Sequence, residues 1–511
     1  MHQNNWLDDR SDLRPSLEEM LRFRRISRRA GQFKLWEVLL GRIRRYLGSV
    51  TLAAALACPT HAQTPPDRSA FLTIYRELVE TDTTYSGGDC TRAAKQLESR
   101  FRAAGFTESQ ITLYVPPDRP RDGGLVVTWN GRNATVPGVL LLAHIDVVEA
   151  KREDWIRDPF KLVEDDGYFY GRGASDDKAQ VAIFADALIR LRQAGFRPNR
   201  TLKLALTCGE ETSNADVLNG AGWLVDHRPD LLKAGFALNE GGTGRGGPSG
   251  MPSYLGLGVG EKSPRNFAIE ATNPGGHSST PVRDNAIYQL AEGLLRLRDL
   301  QFPIHLNPVT RAYFEKMAAL QHNALGAAMR DIAADPNNRS AEAIVSADRA
   351  FNAMLRTTCV ATLLSAGHAI NALPQRATAS VNCRIIPGET AEDVQATLQQ
   401  TVTGLGLKVT RWTAKERTLA IPPQLDPKIV GPMEKIAAKH FPGVPIIPEM
   451  STGASDATHL GRLGIPTYGV PGLWNEPQTA GTHGLNERIS VNSLYRGRDY
   501  LFDLIRYFAG S

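Results

Sequence analysis

Two compact zinc-binding motifs are absent from this sequence, which has neither a Cys-x-x-Cys pair nor a His-Glu-x-x-His segment. The first absence excludes zinc fingers, and the second excludes the single-zinc proteases that carry that segment. Cysteine is scarce as well, with five residues in 511, of which four follow the leader described next: Cys90, Cys208, Cys359 and Cys383. Four scattered cysteines are no disulfide framework, so we expect small buried hydrophobic side chains, although an oxidising compartment would permit a pair.

The apolar stretch near the N-terminus, Leu47 to Ala57, is too short to span a bilayer. A basic cluster that ends at Arg45 precedes it, and the small-residue pattern Thr60-His61-Ala62 follows it. This order is typical of an export signal that is cleaved after Ala62. We therefore expect residues 1–62 to be a leader. The mature protein is then exported, periplasmic or secreted, without a stable membrane anchor.

An excess of basic charge is lacking outside the leader. Residues 1–62 carry eleven Lys and Arg and six Asp and Glu, which accounts for the whole formal charge of +5. The rest of the chain is formally neutral, so we expect no nucleic-acid partner. The composition, 42% hydrophobic and 22% charged, is that of an ordinary globular protein, and the length suffices for two or three domains.

Acidic residues, in contrast, are concentrated at a few points. Asp176 and Asp177 stand between a glycine turn and a helix, which is predicted from apolar residues at helical spacing from Val181 to Leu191. Two neighbouring carboxylates repel each other unless a positive charge lies between them, so this end of the helix could share a divalent cation. The alternative is that one of them simply caps the helix, since Asp is a favoured N-cap residue.

Three strand-like runs are followed by further acidic residues and by one histidine. The runs that begin at residues 139, 202 and 236 lead into His144-Ile145-Asp146, Glu210-Glu211 and Glu240. With Asp176, four successive strand ends supply His, Asp, Glu-Glu and Glu. Open α/β sheets carry their chemistry at the carboxyl ends of strands, so we expect these residues to meet at one edge of a sheet.

Six segments of the chain form an ordered series over roughly residues 70 to 508. They are His144-x-Asp146-Val147-Val148, Gly171-Arg172-Gly173 through Lys178, Glu210-Glu211, Asn239-Glu240-Gly241-Gly242, Gly275-Gly276-His277-Ser278-Ser279 and Gly481-Thr482-His483-Gly484. In this series the chain resembles the two-zinc exopeptidases and aminoacylases that include glutamate carboxypeptidase and carboxypeptidase S (metallopeptidase family twenty). Each segment alone is weak evidence for the resemblance, but six segments in the family's order are strong evidence. One departure is Glu149, where many members have proline; it lies outside the ligand set.

The resemblance implies a site for two divalent metal ions. Asp176 would bridge the ions, His144 and Glu240 would complete one ligand set, and Glu211 and His483 would complete the other. Imidazole and carboxylate ligands without thiolate suit zinc, which we expect here, and also cobalt or manganese. In the family the peptide bond after the bridging Asp is often cis, and Asp177 would hold that turn.

The resemblance also implies roles in catalysis. Glu210 is left over from the ligand sets, so it would take a proton from the attacking water and pass it to the leaving nitrogen. Asp146 would fix the tautomer of the His144 imidazole. His277 resembles a residue that reaches the reacting carbonyl oxygen, often from the partner subunit, and would donate a hydrogen bond to it. The alternative for His277 is a residue that only stabilises a turn.

Two further residues match positions that hold the terminal carboxylate of a substrate, Arg384 and Asn371. For Arg384 the alternative is an ordinary surface ion pair. Because the family pairs its subunits through the same region, a homodimer is an open expectation.

The predicted fold class is α/β, with a catalytic domain built on a mostly parallel sheet and an inserted α+β lid or dimerisation domain. We place the catalytic domain at residues 63–261 and 414–511, and the lid at 262–413. Within the lid, residues 312–355 form an extra helical stretch with Met317, Leu320 and Leu325 on one face. Such an apolar stripe is most often core, and the alternative is a cover over the substrate cleft.

Taken together, these features favour an exported dizinc hydrolase that cleaves an amide bond next to a C-terminal amino acid. Its substrate would be a small peptide or an N-acyl amino acid, as for a carboxypeptidase or an N-acyl amino acid hydrolase. One alternative is an aminopeptidase or dipeptidase of the same fold, which would need an acidic group for the substrate amine. The other is a catalytically inactive binding protein, which would lack some of the metal ligands.

Overall fold

The computed structural model describes residues 68–212, 218–247, 250–412, 425–475 and 481–510. The leader, its predicted export signal and the predicted boundary between residues 413 and 414 lie outside these ranges. Among the described residues, no helix is both long and apolar enough to cross a membrane.

The first part of the chain alternates between helices and strands. In chain order these are α1 (Arg68–Val79), α2 (Cys90–Ala103), β1 (Ile111–Tyr114), β2 (Gly124–Trp129), β3 (Val139–His144), β4 (Val163–Asp165), β5 (Tyr168–Tyr170), α3 (Lys178–Gln193), β6 (Leu202–Thr207), α4 (Gly220–His227), α5 (Pro229–Leu232), β7 (Phe236–Asn239), β8 (Gly244–Gly246) and β9 (Pro252–Glu261).

The middle part has longer strands and a run of four consecutive helices. It comprises β10 (Ser263–Thr272), β11 (Gly276–His277), α6 (Ala286–Asp299), α7 (Pro308–Leu320), α8 (Ala324–Ala334), α9 (Arg339–Val345), α10 (Arg349–Leu355), β12 (Thr358–Ala366), β13 (Ala372–Leu373), β14 (Arg376–Ile385), α11 (Ala391–Thr401) and β15 (Leu407–Arg411).

The last part returns to short strands and ends in a long helix. Its elements are α12 (Pro427–His440), β16 (Ile446–Ser451), α13 (Ala457–Leu460), β17 (Thr467–Gly469), β18 (Trp474–Asn475), β19 (Arg488–Ser490) and α14 (Val491–Gly510).

The large sheet has ten strands in the order β1-β2-β6-β3-β7-β17-β9-β8-β18, with β16 paired to β9. Its centre, β6-β3-β7-β17, is parallel. Every residue of β3, β6 and β7 is buried, as expected for strands with helices on both faces. Along β3, Leu141 packs into the core on one face and Leu140 into the core on the other. The predicted α/β fold with a mostly parallel sheet is confirmed.

A separate four-stranded antiparallel sheet, β12-β14-β10-β15, forms the inserted lid domain. Residues of β14 alternate between buried and more exposed, because only one face of this sheet is covered. Helices α6 and α11 cover that face, through side chains such as Leu290 and Leu398. The strand β12 forms an edge of the sheet, and most of its residues are exposed.

The helical stretch predicted at residues 312–355 is the run α7 to α10. Met317 is buried in a core that these helices form with Ile447 of the large sheet, and Leu325 packs against it. The expectation of ordinary core is therefore confirmed for these two residues, whereas Leu320 is exposed. The helices interrupt the lid in sequence, yet they pack on β16 of the large sheet.

Three chain crossings between the two sheets meet at one buried cation. Lys262 lies between β9 and β10, and its Nζ donates to the carbonyls of Ala353 and Arg356 and to Thr358 Oγ1, at 2.8–3.0 Å. The Arg356 guanidinium donates in turn to the carbonyl of Phe302, at 2.8 Å. Burial lowers the pKa of Lys262 to about 7. These contacts join the crossing at 262 to the crossings at 300–307 and 356–358.

The expectation that the four cysteines are unpaired hydrophobic residues was wrong. They form two disulfides, Cys90–Cys208 and Cys359–Cys383. The first joins residues 118 positions apart, and no local pattern announces such a pairing. The second lies across directly paired positions of β12 and β14, so the antiparallel register brings its two cysteines together.

Candidate metal centre

Three neighbouring parallel strands deliver four of the predicted site residues to one edge of the large sheet. His144 is the last residue of β3 and stands opposite Thr207, the last residue of β6. Glu210 and Glu211 follow β6, and Glu240 follows β7 directly. Because β6, β3 and β7 are parallel neighbours, their carboxyl ends coincide, as the sequence predicts.

Asp176 reaches the same place by another route. It follows β5, which pairs with β4 and β19 in a small antiparallel sheet of its own, so the expectation of four strand ends in one sheet was wrong. The peptide bond between Asp176 and Asp177 is cis. Asp177 occupies the N-cap position of α3, but its side chain makes no capping hydrogen bond. Helix capping therefore does not account for this pair of acids.

His144, Asp176 and Glu240 form the first candidate ligand group. His144 Nε2 lies 3.1 Å from Asp176 Oδ1 and 3.7 Å from Glu240 Oε2. His144 Nδ1 lies 3.1 Å from the backbone carbonyl of Asp146, which fixes it as the protonated nitrogen and turns the Nε2 lone pair towards the carboxylates.

The second candidate group consists of Asp176, Glu211 and His483. His483 Nε2 lies 2.8 Å from Glu211 Oε2 and 3.3 Å from Asp176 Oδ2. His483 adopts a left-handed backbone conformation, with φ of 58°, which lets a tight turn present the imidazole. Asp176 thus contributes one oxygen to each group.

The donor set fits two divalent cations that share a carboxylate. Within each group the ligand atoms lie within 4.8 Å of one another. All of them are imidazole nitrogens or carboxylate oxygens, which suit zinc, cobalt or manganese. These five residues would hold the ions, three to each with Asp176 common to both.

Crowding of acids shifts the titration of this cluster. Hydrogen bonds with Asp176 and Glu211 raise the pKa of His483 to about 10. Burial raises the pKa of Glu240 to about 7, and burial together with Glu240 raises the pKa of Glu210 well above its ordinary value. Burial also opposes ionisation of Asp176, but hydrogen bonds from His144 and His483 outweigh it and lower its pKa. So many buried carboxylates are stabilised by positive charge at their centre, which divalent cations supply.

Asp146 and Glu210 stand beside the ligand groups. Asp146 Oδ2 accepts a hydrogen bond of 3.0 Å from the backbone N–H of Glu211, and Oδ1 lies 3.7 Å from His144 Nδ1. Asp146 therefore links the turn that carries Glu211 to the strand that carries His144. Glu210 belongs to neither ligand group, yet Glu240 and His144 are the charged residues that act on it most strongly.

Sequence reasoning missed Glu487, which holds the turn that carries Asp176. Its carboxylate is 1% exposed and accepts from the backbone N–H groups of Gly173, Ser175 and Asp176 at 2.8–3.0 Å. Arg172 Nη1 donates to the same carboxylate at 2.8 Å. Removing one partner of a buried ion pair costs about 3–5 kcal/mol, against about 1 kcal/mol for a helix cap, so this contact outweighs capping in fixing the turn.

Arg172 also connects the two ligand-bearing loops. Its Nη2 donates to the carbonyl of Gly484, next to His483, at 2.8 Å. Its guanidinium lies 4.9 Å from the ring centroid of Trp155. A Glu four residues after the late His was the available sequence signal, but nothing local indicates that its partner lies more than 300 residues earlier.

The predicted substrate residues separate into two places on the lid. His277 and Asn371 lie together, because Ser278 N donates to Asn371 O at 3.1 Å and β11 pairs with β13. Arg384 lies near the junction end of β14, opposite Pro264, whereas Arg376 at the other end of β14 lies opposite Thr272. Arg376 and Arg384 are eight residues apart along β14, which corresponds to roughly 26 Å at about 3.3 Å per residue. Asn371 precedes Arg376 by five residues, so it belongs to the end of β14 that is remote from Arg384. One chain therefore keeps Arg384 apart from the exposed His277 and Asn371.

Proteins similar to this chain in sequence are named as enzymes that act on N-acyl amino acids or as carboxypeptidase-like proteins. The chain is 31% identical over 386 residues to "N-fatty-acyl-amino acid synthase/hydrolase PM20D1.1" of Danio rerio, covering 71% of each chain. It is 25% identical over 417 residues to "Probable carboxypeptidase S-like 2" of Dictyostelium discoideum, covering 78% of this chain and 77% of the relative. It is 25% identical over 451 residues to Aminoacylase-1 of Mus musculus, covering 87% and 97%.

Solved structures share the fold. The M20 family metallo-carboxypeptidase Sso-CP2 from Sulfolobus solfataricus matches with a TM-score of 0.65 at 18% identity, covering 86% of this chain and 99% of that one. The YXEP protein of Bacillus subtilis, described as a dinuclear metal binding peptidase from the M20 family, matches with a TM-score of 0.55 at 14% identity, covering 86% and 98%.

A family model agrees with the site and the fold. The model of "Peptidase family M20/M25/M40" matches residues 140–507, well over half of the chain, and this range contains every candidate metal ligand. The chain therefore belongs to peptidase family M20/M25/M40, and it is a hydrolase of that family.

Proposed function

We propose that the protein is an exported dizinc hydrolase that cleaves the amide bond next to a C-terminal amino acid, as a carboxypeptidase or an N-acyl amino acid hydrolase. The observation that carries this proposal is the pair of ligand groups that share Asp176, with Glu210 beside them but in neither. The names of the relatives, which include an N-fatty-acyl-amino acid hydrolase, a carboxypeptidase S-like protein and an aminoacylase, support the substrate class.

In this proposal His144 and Glu240 would hold one zinc ion, Glu211 and His483 would hold the other, and Asp176 would contribute to both sites. When bound, such a pair of ions polarises the scissile carbonyl and makes an attacking water more acidic. The described geometry orients the ligands beforehand, since Asp146 holds the backbone of Glu211 and the Nδ1 proton of His144 is already directed at a carbonyl.

Glu210 acts as general base and then as general acid. It takes a proton from the water that attacks the carbonyl carbon, and it gives this proton to the nitrogen as the C–N bond breaks. Its position on the turn that follows β6, where Glu240 and His144 act on its charge, supports this assignment. A carboxylate that also bound both ions could not carry the proton.

Recognition of the substrate needs residues from the lid. We propose that Arg384 pairs with the terminal carboxylate, and that Asn371 assists in holding the substrate while His277 donates a hydrogen bond to the reacting carbonyl oxygen. Arg384 is separated from the other two along the lid sheet of one chain. A homodimer resolves this separation if His277 and Asn371 are supplied by the partner subunit.

The edge strand β12 supports such a dimer. It exposes Val360, Leu363 and Leu364 by 59–66%. An exposed apolar edge strand favours pairing with another strand, and a second copy of the same edge is the simplest partner.

Glu210→Gln should keep the fold and metal content of the parent and lose turnover by several orders of magnitude, because only proton transfer is removed. Asp176→Ala should in addition lose metal. Elemental analysis of purified protein and steady-state assays with N-acyl amino acids and dipeptides measure both effects. Glu153→Gln, an exposed residue on a nearby loop, is the matched control and should behave as the parent does. Near-normal activity of Glu210→Gln would refute the assigned mechanism.

Substrates with a free α-carboxylate should be cleaved on the order of a hundredfold or more faster than their amides, because an amide cannot accept the two parallel charge-assisted hydrogen bonds that a guanidinium offers to a carboxylate. Arg384→Ala should erase most of this preference, and Arg384→Lys should restore it only in part, since an ammonium lacks the planar fork. Arg376→Ala, at the far end of the same strand, is the control. Equal cleavage of amidated substrates by the parent would favour an aminopeptidase instead.

Mixing two inactive variants should restore activity if the subunits share sites. His277→Ala retains Glu210, and Glu210→Gln retains His277, so each mixed dimer contains one complete site. With random exchange about half of the dimers are mixed, and about a quarter of the parent activity should return. Light scattering should give twice the mass of one chain. Activity that stays absent in a mixture shown to contain mixed dimers contradicts the sharing of sites.

The mature protein should begin at Gln63 and be found outside the cytoplasm, because a basic segment, a short apolar stretch and a small-residue cleavage pattern precede this position. N-terminal sequencing of the protein from its native host tests this. An intact Met1 in a cytoplasmic fraction would contradict export.

A further inference from the structure

The disulfide Cys90–Cys208 ends two residues before Glu210 and three before Glu211. We propose that it is a positioning cross-link, which holds the turn Cys208–Glu211 in the place that the general base and a metal ligand require. This inference rests on the proposed function for the roles of Glu210 and Glu211, and it assigns to the cystine a part in catalysis beyond general stability.

The turn cannot hold its own conformation. Gly209 has φ of +88°, and a Cβ built on it would lie 2.1 Å from the backbone oxygen of Leu218, so glycine is required there. The most flexible residue type thus separates the end of β6 from the two catalytic-site acids. External contacts must therefore fix the turn.

Among the described residues, the turn is held by hydrogen bonds of its backbone, one of them from Thr212 Oγ1 to Gly209 O at 3.3 Å, and by the contact of the Glu211 carboxylate with His483. Asp146 accepts from Glu211 N at 3.0 Å, Asn219 Nδ2 donates to Gly209 O at 3.3 Å, and Gly220 N donates to Cys208 O at 2.7 Å. Each such hydrogen bond contributes about 0.5–1.5 kcal/mol net, so each opens readily on its own. The covalent bond at Cys208 is the one contact of this set that does not open.

The other end of the disulfide lies in a segment that holds the rest of the site. We call residues 81–90 the anchor segment. Thr83 Oγ1 donates to Ile145 O at 2.7 Å, and Val147 N donates to Thr83 O at 3.3 Å, so the anchor segment holds the chain on both sides of Asp146. Lys178 Nζ donates to Thr81 O at 2.8 Å, which attaches the turn after Asp176 as well.

The anchor segment already holds the segments that carry His144 and Asp176. The disulfide therefore attaches a third ligand-bearing segment, the turn Cys208–Glu211, to it. Hydrogen bonds connect the segments that carry His144 and Asp176 to the anchor segment. The disulfide connects the turn that carries Glu210 and Glu211 to it. Cys90 and Cys208 are 3% and 6% exposed, so the cross-link is buried next to the site. Cys359–Cys383, in the lid sheet, adjoins the proposed substrate residue Arg384 but no candidate metal ligand, so it serves as the control for zinc retention.

Substitution tests the cross-link better than a thiol reductant does, because thiolates bind zinc themselves. Cys90→Ala/Cys208→Ala should fold, keep KM within about twofold, and lose about 10- to 100-fold in kcat, the usual cost of losing support behind a metal site. It should also lose bound zinc faster than the parent on dialysis against metal-free buffer.

The control variant Cys359→Ala/Cys383→Ala should keep the zinc retention of the parent, because its disulfide adjoins Arg384 and no metal ligand. A Cys90/Cys208 variant that is folded by circular dichroism and shows parental kcat and zinc retention would overturn the proposal, since the bond would then only stabilise the fold. If the alanine variants do not fold, Cys90→Ser/Cys208→Ser leaves smaller voids and is judged by the same two measurements. Should the parent hydrolyse none of the assayed amides, the proposed function fails, while the zinc-retention comparison still decides on the cross-link.

Discussion

The buried carboxylate of Glu487 is the constraint on which the site depends. It collects three backbone N–H groups and the Arg172 guanidinium, and it thereby shapes the turn that carries Asp176. Arg172 extends the same contact to the carbonyl of Gly484, beside His483. Asp176 and His483 come from irregular loops that no strand or helix holds in place. One buried ion pair therefore gives both loops the order that a regular element would otherwise provide.

The other half of the site is built in a different way. His144 ends a strand and Glu240 follows one, both strands are buried over their whole length, and the large sheet therefore fixes the spacing of these two residues, whereas Glu211 follows a glycine turn and depends on contacts outside it. The second ligand group joins Glu211, on the turn after β6, to Asp176 and His483 from two loops, so its geometry depends on both kinds of support. The proposed substrate residues of the lid lie apart in one chain, since Arg384 lies near one end of β14 and His277 lies in the separate strand pair β11–β13.

Much of this arrangement could be predicted because its signals are local. Apolar runs that end in His144, Glu210 or Glu240 identify strands and their carboxyl ends, and parallel pairing then brings those ends together. The origin of Asp176 in a separate small sheet was not predictable, since β5 has only three residues and pairs with β19 far along the chain. Glu487 and the Cys90–Cys208 bond were missed for the same reason. Each acts on a partner more than a hundred residues away, and spacing within the sequence carries no record of such a contact.

The helices α7 to α10 change how the lid is attached. Since they leave the lid and pack on the large sheet, the chain crosses between the two bodies more often than a simple insertion would require. Lys262 and Arg356 bind three of these crossings side by side. Two domains joined by a single chain segment can rotate about that segment. Several neighbouring segments that are bonded to one another resist such rotation more than they resist bending. The three joined crossings therefore resist twisting of the lid against the large sheet more than they resist bending.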